Sequence, residues 1–259
     1  MPGDLDLRRL RGRLKGCLIG FQTLFYASVP STMDVARRKA EEGAPEGTVV
    51  LADQQTRGRG RFRRRWVSPP GTNLYLSIIL RPTVDELRLL NMATSLAVVR
   101  AIRSTAGLAA TIKWPNDVRL RELKVGGILI DSALSNGQMR WTIVGVGINV
   151  NLDPAEHPEI ASIATSLAKE AGHPVSRMEV LAAFLEELNV LYETLRSREA
   201  LAKEWKSFLD TLGKTIQVRI GKRIERGVAQ DVDEAGNLVL VRSDGSIATL
   251  AAGEVTLQS

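Results

Sequence analysis

The chain has 259 residues, 44% of them apolar and 25% charged, with a net charge of +6. That supplies a sizeable core and room for two domains, while no run approaches the roughly 20 uninterrupted apolar residues of a membrane-spanning helix. The opening MPGDLDLRRLRGRLKG lacks the apolar stretch of an export signal, and one cysteine, Cys17, with only His157 and His173 beside it, excludes an internal disulfide and a Cys/His metal cluster.

A cytoplasmic protein is therefore expected, with Cys17 as a small core residue. Residues 1–16 read as a short arm, too few for a three-helix winged helix-turn-helix. Ser31, followed three positions later by Asp34, resembles a capping box, and the helix it opens ends at Gly43. GTVVLAD from Gly47 and NLYLSIIL from Asn73 are strand-like. The long connection between them contains RGRGRFRRRW and SPPG, and a basic, glycine-containing connection of this length is commonly a functional loop.

A helical pattern follows over 84–106, with Leu87, Leu90, Ala97 and Ile102 as its apolar positions, then short strands over 111–113 and 117–120. KVGGILIDSAL and MRWTIVGVGINVNL flank Asn136-Gly137, a strong hairpin signal, and form an antiparallel pair. Helices dominate 162–209, where Leu181, Phe184, Leu185, Leu188 and Leu191 make a core stripe. Beyond 212 the pattern becomes four short strands with turns, enough for a small β-barrel that leans on the main body.

The segment 57–66 holds six arginines and no acid, and without them the basic and acidic residues balance. Its charge is therefore local. It is compatible with RNA binding, with a solvated charge run, or with a loop that encloses a compact anion: Gly58 and Gly60 permit close backbone approach while Arg59, Arg61 and Arg64 offer charge-assisted bonds to phosphate. No Walker-type glycine loop occurs anywhere. Lys113-Trp114-Pro115-Asn116-Asp117 reads either as a core plug at a turn or as a binding segment. Lys124, followed by Gly126 and Gly127, would place a point charge beside a sheet surface bare enough for a ligand to lie flat. Gly145 and Gly147 form a second bare patch, equally readable as a close packing contact.

Taken together and in order, Ser31-Thr32-Met33-Asp34, the segment from Gln55 to Trp66, KWPNDV, KVGGIL and VGVGINVN resemble the biotin protein ligases over residues 31–152. The resemblance implies an α+β fold: a mixed β-sheet with flanking helices, like the class II synthetases, over 1–211, and an SH3-like barrel over 212–259. It implies an enzyme that joins biotin to ATP with Mg2+, then passes the biotinyl group to a lysine of a biotin carboxyl carrier protein. It further implies catalytic roles for Arg61 and Lys124, with Asp117 orienting the incoming lysine or a magnesium-linked group. By the same resemblance Ser31, Thr32 and Gln55 bind the ureido ring, Met33 stands where many members carry asparagine, and Trp66, Gly126 and Gly127 wall the rings and the valeryl chain. Arg59, Gly60, Arg61 and Lys124 meet the reacting carboxyl and phosphate, and Arg64, Lys113, Asn116 and Asn149 the rest of the nucleotide. No protein cage for the metal is expected, since magnesium commonly arrives on substrate phosphates. A homodimer through sheet edges is conceivable, and neither nucleic acid nor membrane is an expected partner. Two alternatives are a lipoate or octanoate ligase of the same fold and an arginine-rich nucleic-acid-binding module.

Overall fold

The computed structural model describes residues 4–195 and 198–257. The arm expected at the start contains a helix, α1 (Leu7–Arg13), capped by the Asp6 carboxylate, which accepts from the Arg8 and Arg9 amides. Seven residues rich in arginine carry little helical signal of their own. Tertiary contacts hold α1: Leu10 and Leu14 are fully buried, and Arg13 bonds Glu179 and Glu186 on a later helix.

The body is a seven-stranded mixed sheet in the order β1-β2-β3-β7-β6-β5-β4. Its strands are β1 (Thr23–Val29), β2 (Val49–Gln55), β3 (Leu74–Leu80), β4 (Ala110–Lys113), β5 (Asp117–Leu120), β6 (Leu123–Ser135) and β7 (Gln138–Ile148). Only β1 and β2 run parallel; the other neighbours are antiparallel. Edge strand β1 was not expected from the sequence, because TLFYASV is only half-buried and lacks a clear alternation. The β6–β7 turn uses Asn136 at φ 51° and Gly137 at φ 76°, the left-handed pair that a two-residue hairpin requires.

Strand alternation sorts the side chains onto two faces. Val49, Leu51, Leu76 and Ile78 join the main core, whereas Val50, Ala52, Ile79 and Ile143 join a smaller cluster beneath α2 (Thr32–Glu41). The main core is filled by α4 (Leu90–Ala106) and α6 (Arg177–Glu193), with the short helices α3 (Val84–Leu87) and α5 (Leu167–Ala171) and the later α7 (Arg198–Ser207) around them. Leu181, Phe184, Leu185 and Leu188 are fully buried and Leu191 nearly so, and Cys17 packs half-buried against the same core.

The terminal unit is a five-stranded antiparallel sheet in the order β11-β10-β9-β8-β12. It comprises β8 (Thr215–Ile220), β9 (Arg223–Val232), β10 (Leu238–Val241), β11 (Ile247–Leu250) and β12 (Glu254–Leu257), one strand more than the sequence reading expected. Its inward residues Ile216, Val218, Leu238 and Leu240 belong to the main core cluster. Trp114 seals the junction: it is almost fully buried, its indole donates to the Gly236 carbonyl at 2.9 Å, and its amide donates to Thr211 Oγ1 at 2.9 Å. Trp114 is thus the core plug that one reading of its segment proposed.

Candidate active site

A cavity of about 440 Å3 opens on the α2 face of the sheet, between α2, the β2–β3 connection, the β4–β5 turn and the start of β12. Its volume is in the range of small-molecule sites. The polar floor comes from the start of α2 and the end of β2. Thr32 donates from its amide (2.9 Å) and its hydroxyl (3.2 Å) to Gln55 Oε1, Gln55 Nε2 donates to Ser68 Oγ (3.1 Å), and Ser77 Oγ donates to Thr32 Oγ1 (2.8 Å). Ser31 stands at the helix N-cap without the capping bond its spacing predicted. Its hydroxyl is buried with no protein partner, and Asp34 turns away to pair with Arg59 at 2.5 Å. An unpaired buried hydroxyl is costly, and such groups concentrate where a ligand supplies the missing bond.

The arginine segment is a small hairpin. The Trp66 amide donates to the Gly58 carbonyl (3.0 Å) and the Gly60 amide to the Arg64 carbonyl (2.8 Å), around a tight turn at Arg61–Arg63 in which Phe62 has φ 56°. A Cβ on Gly58 would lie 2.4 Å from the Trp66 carbonyl oxygen, so the hairpin closes only over glycine. Arg59, Arg61 and Arg64 border the cavity, each with a stand-in acceptor. Arg59 has Asp34, Arg64 has Glu254 of the terminal unit, and Arg61 donates to Asn116 Oδ1 at 2.6 Å. Burial lowers the pKa of the Arg61 guanidinium, while the Asp117 and Glu254 charges oppose that. Arg57 is exposed; the side chain of Arg63 lies outside what is described.

Across the cavity Lys124 Nζ pairs with Asp117 Oδ1 at 2.6 Å and stands 5.3 Å from the centre of the Trp66 ring. Lys113 also faces the cavity and, among the described residues, has no ion pair; burial is the largest influence on its ammonium and lowers its pKa. Asn116 is held by its donation to the Ile128 carbonyl (2.8 Å).

Three expectations change. Gly126 does not line the cavity: a Cβ there would meet Val118 and Val98, the latter on α4, since successive strand residues face opposite ways and only Gly127 looks toward Trp66 and Lys124. The bare strip at Gly127 and Gly147 is not open surface, because the Trp66 indole lies on it, 2.5 Å from where a Cβ on Gly147 would sit. Asn149 borders the cavity, but its amide donates to the Thr165 carbonyl (3.0 Å) and accepts from Asn73 (3.2 Å), so much of its bonding capacity holds the end of β7. Sequence reasoning missed Asp34 and Glu254 as partners of the arginines. The spacing of Asp34 suggested a cap instead, and nothing near Glu254 marks it.

A polar floor, an indole-covered strip and a ring of cations around a lysine–aspartate pair make a site suited to a small ligand with polar, apolar and anionic parts. Residues 25–149 match the family model described as Biotin/lipoate A/B protein ligase family, and 211–257 match that of the Biotin protein ligase C terminal domain. The bifunctional ligase/repressor BirA of Bacillus subtilis is 34% identical over 249 residues, covering 94% of this chain and 77% of its own. The biotin--[acetyl-CoA-carboxylase] ligase of Mycobacterium tuberculosis is 30% identical over 261 residues, covering 97% and 95%. Among solved structures, the biotin protein ligase of Aquifex aeolicus in complex with biotin and ATP superposes with a TM-score of 0.79 at 30% identity, over 92% of this chain and 98% of that one. The chain belongs to the biotin protein ligase family and is an enzyme of the ligase class.

Proposed function

We propose that this cavity carries both half-reactions of biotin transfer. In the first, a biotin carboxylate oxygen attacks the α-phosphorus of ATP, forming biotinyl-5′-AMP and releasing pyrophosphate. Two anions must meet, so positive charge placed on the reacting oxygens is the main requirement. Lys124 and Arg61 supply it from opposite walls, and Arg59, Arg64 and Lys113 extend it toward the leaving phosphates. In the second, a neutral lysine amine of a biotin carboxyl carrier protein attacks the acyl carbon, AMP departs as the bond from that carbon to the phosphate oxygen breaks, and Asp117 orients the incoming amine and accepts the proton it sheds as the amide forms. The observation that carries this reading is the convergence of Lys124–Asp117, Arg61 and the Thr32–Gln55 floor on one cavity.

Thr32, Gln55 and the free Ser31 hydroxyl match the donors and acceptors of a ureido group. Trp66 and Gly127 wall the apolar part. Asn149, which borders the cavity, would offer its remaining N–H to the adenine. Magnesium would enter on ATP, held by the substrate's phosphates; among the described residues no three His, Cys, Asp or Glu gather as a metal cage. The cavity-facing arginines favour a compact anion over nucleic acid. No helix of the described residues is long and apolar enough to cross a membrane, and a reaction fed by ATP and a carrier protein suits the cytoplasm. Residues 129–135 of β6 pair only with β7, since β5 ends its pairing at Gly127. That open edge suits a side-by-side homodimer, which sedimentation would test.

The decisive assay incubates the protein with ATP and either biotin or lipoate and looks for an acid-labile acyl-adenylate. A biotin-dependent product is expected. Product with lipoate alone, or none beside salt-sensitive RNA binding, would overturn the reading. Lys124→Ala is expected to lose adenylate formation by at least about a hundredfold while its melting stays cooperative; wild-type rates would remove Lys124 from the chemistry.

A further inference from the structure

Gly145 on β7 shares the cavity face with Gly147, but a different side chain covers it. A Cβ at Gly145 would lie 2.5 Å from Met33 Sδ and 3.2 Å from its Cγ. Separations below about 3 Å are not tolerated between such atoms, so the methionine sits where a larger residue at 145 would project. Met33 is 5% exposed and borders the cavity. It also belongs to the small core cluster with Val29, Ile143 and Trp141. The first turn of α2 therefore presents two consecutive residues with different tasks. Thr32 addresses polar groups through the Gln55 network, and Met33 closes the space beside it with an unbranched, polarisable chain that fills irregular gaps.

Resting on the assignment of Thr32 and Gln55 to the ureido group, we propose that Met33, seated over Gly145, is a specificity-determining stop that limits the bulk of the ring fused to that group. An apolar thioether at this place offers neither a strong donor nor spare volume. A ring carrying extra oxygen atoms would have to give up its water there without a replacement bond, a cost that separates ligands far better than a missing methylene does.

The test compares wild type, Met33→Ala, Met33→Leu, Gly145→Ala and the double variant Met33→Ala/Gly145→Ala. Biotin binding is measured by calorimetry without ATP, and adenylation of biotin and biotin sulfone by pyrophosphate release. Gly145→Ala is expected to weaken biotin binding by about tenfold or more, because the new methyl drives Met33 into the cavity. Met33→Ala in the same chain is expected to restore most of that loss. Met33→Ala alone is expected to reduce the preference for biotin over the sulfone by about tenfold with the KM for ATP unchanged, whereas Met33→Leu, of similar volume, keeps the preference. Equal damage from Gly145→Ala in both backgrounds, or an unchanged sulfone preference in a cooperatively melting Met33→Ala protein, overturns the proposal while wild-type biotin binding leaves the function standing. Failure of the wild type to bind biotin overturns both.

Discussion

Lys113 and Arg177 illustrate opposite ways of keeping a cation out of water. Arg177 is 1% exposed, yet Asp4 and Asp53 both bond it, the latter at 2.8 Å. The Arg177 hydrogen bond holds the Asp4 carboxyl below its ordinary 3.8 against the opposing effect of burial. A depressed carboxylate contributes stability above its unfolded pKa and loses it as pH falls through the folded value. Asp4→Asn is therefore expected to lower stability at pH 7 by less than about 1 kcal/mol, because Asp4 is half exposed, and the gap to wild type should narrow as the pH falls below about 4. Lys113 has the reverse sign. Burial lowers its pKa from 10.5, so folding is penalised wherever the ammonium is charged in both states. The unfolded chain binds more protons between the folded value and 10.5, and stability recovers as pH rises through that interval. Lys113→Met should raise the melting temperature at pH 7 by about 2–4 °C and slow adenylate formation, read by scanning calorimetry and pyrophosphate release. The residue types at the site were legible because each has a chemical reason to be there. The partners of Arg59 and Arg64 were not, since Asp34 and Glu254 lie 25 and 190 positions away in the chain.

Elements with local determinants were the most readable. The Asn136-Gly137 turn, the long β6–β7 pair and the stripe of α6 all follow from turn chemistry and periodicity, and all are present. Helix α1 and strand β1 exist through what they pack against, and a short element without its own signal leaves nothing to read. The arginine segment lies between these cases. Its charge was plain, but the pairing of Gly58 with Trp66 that makes it a hairpin was not. Gly58→Ala should prevent that closure, increasing trypsin cleavage at Arg57–Arg65 in the biotin- and ATP-bound protein and reducing adenylation by about tenfold or more. Unchanged cleavage would show that the hairpin tolerates the methyl. The paired glycines Gly127 and Gly147, inside the sheet, behave the same way: a glycine-lined strip indicates close approach, but only the fold reveals that a tryptophan from the same chain makes it.

At the scale of the molecule, the two units predicted from the change in texture near residue 212 share one apolar core. We expect one cooperative melting transition, and Trp114→Phe, which strands the Gly236 carbonyl, to reduce stability by about 1–3 kcal/mol without splitting the transition. Two transitions in calorimetry would make the units independent. Of the four tryptophans, Trp114, Trp141 and Trp205 are at most 7% exposed, and Trp66 is half-buried with its indole N–H unbonded and a lysine ammonium over its ring. Trp141 and Trp205 do not line the cavity, and their emission is expected to follow the fold. Emission from Trp66 is expected to shift when biotin and ATP fill the cavity it borders, which a titration followed by fluorescence checks, and such a shift would give the protein an optical gauge of occupancy that needs no added dye.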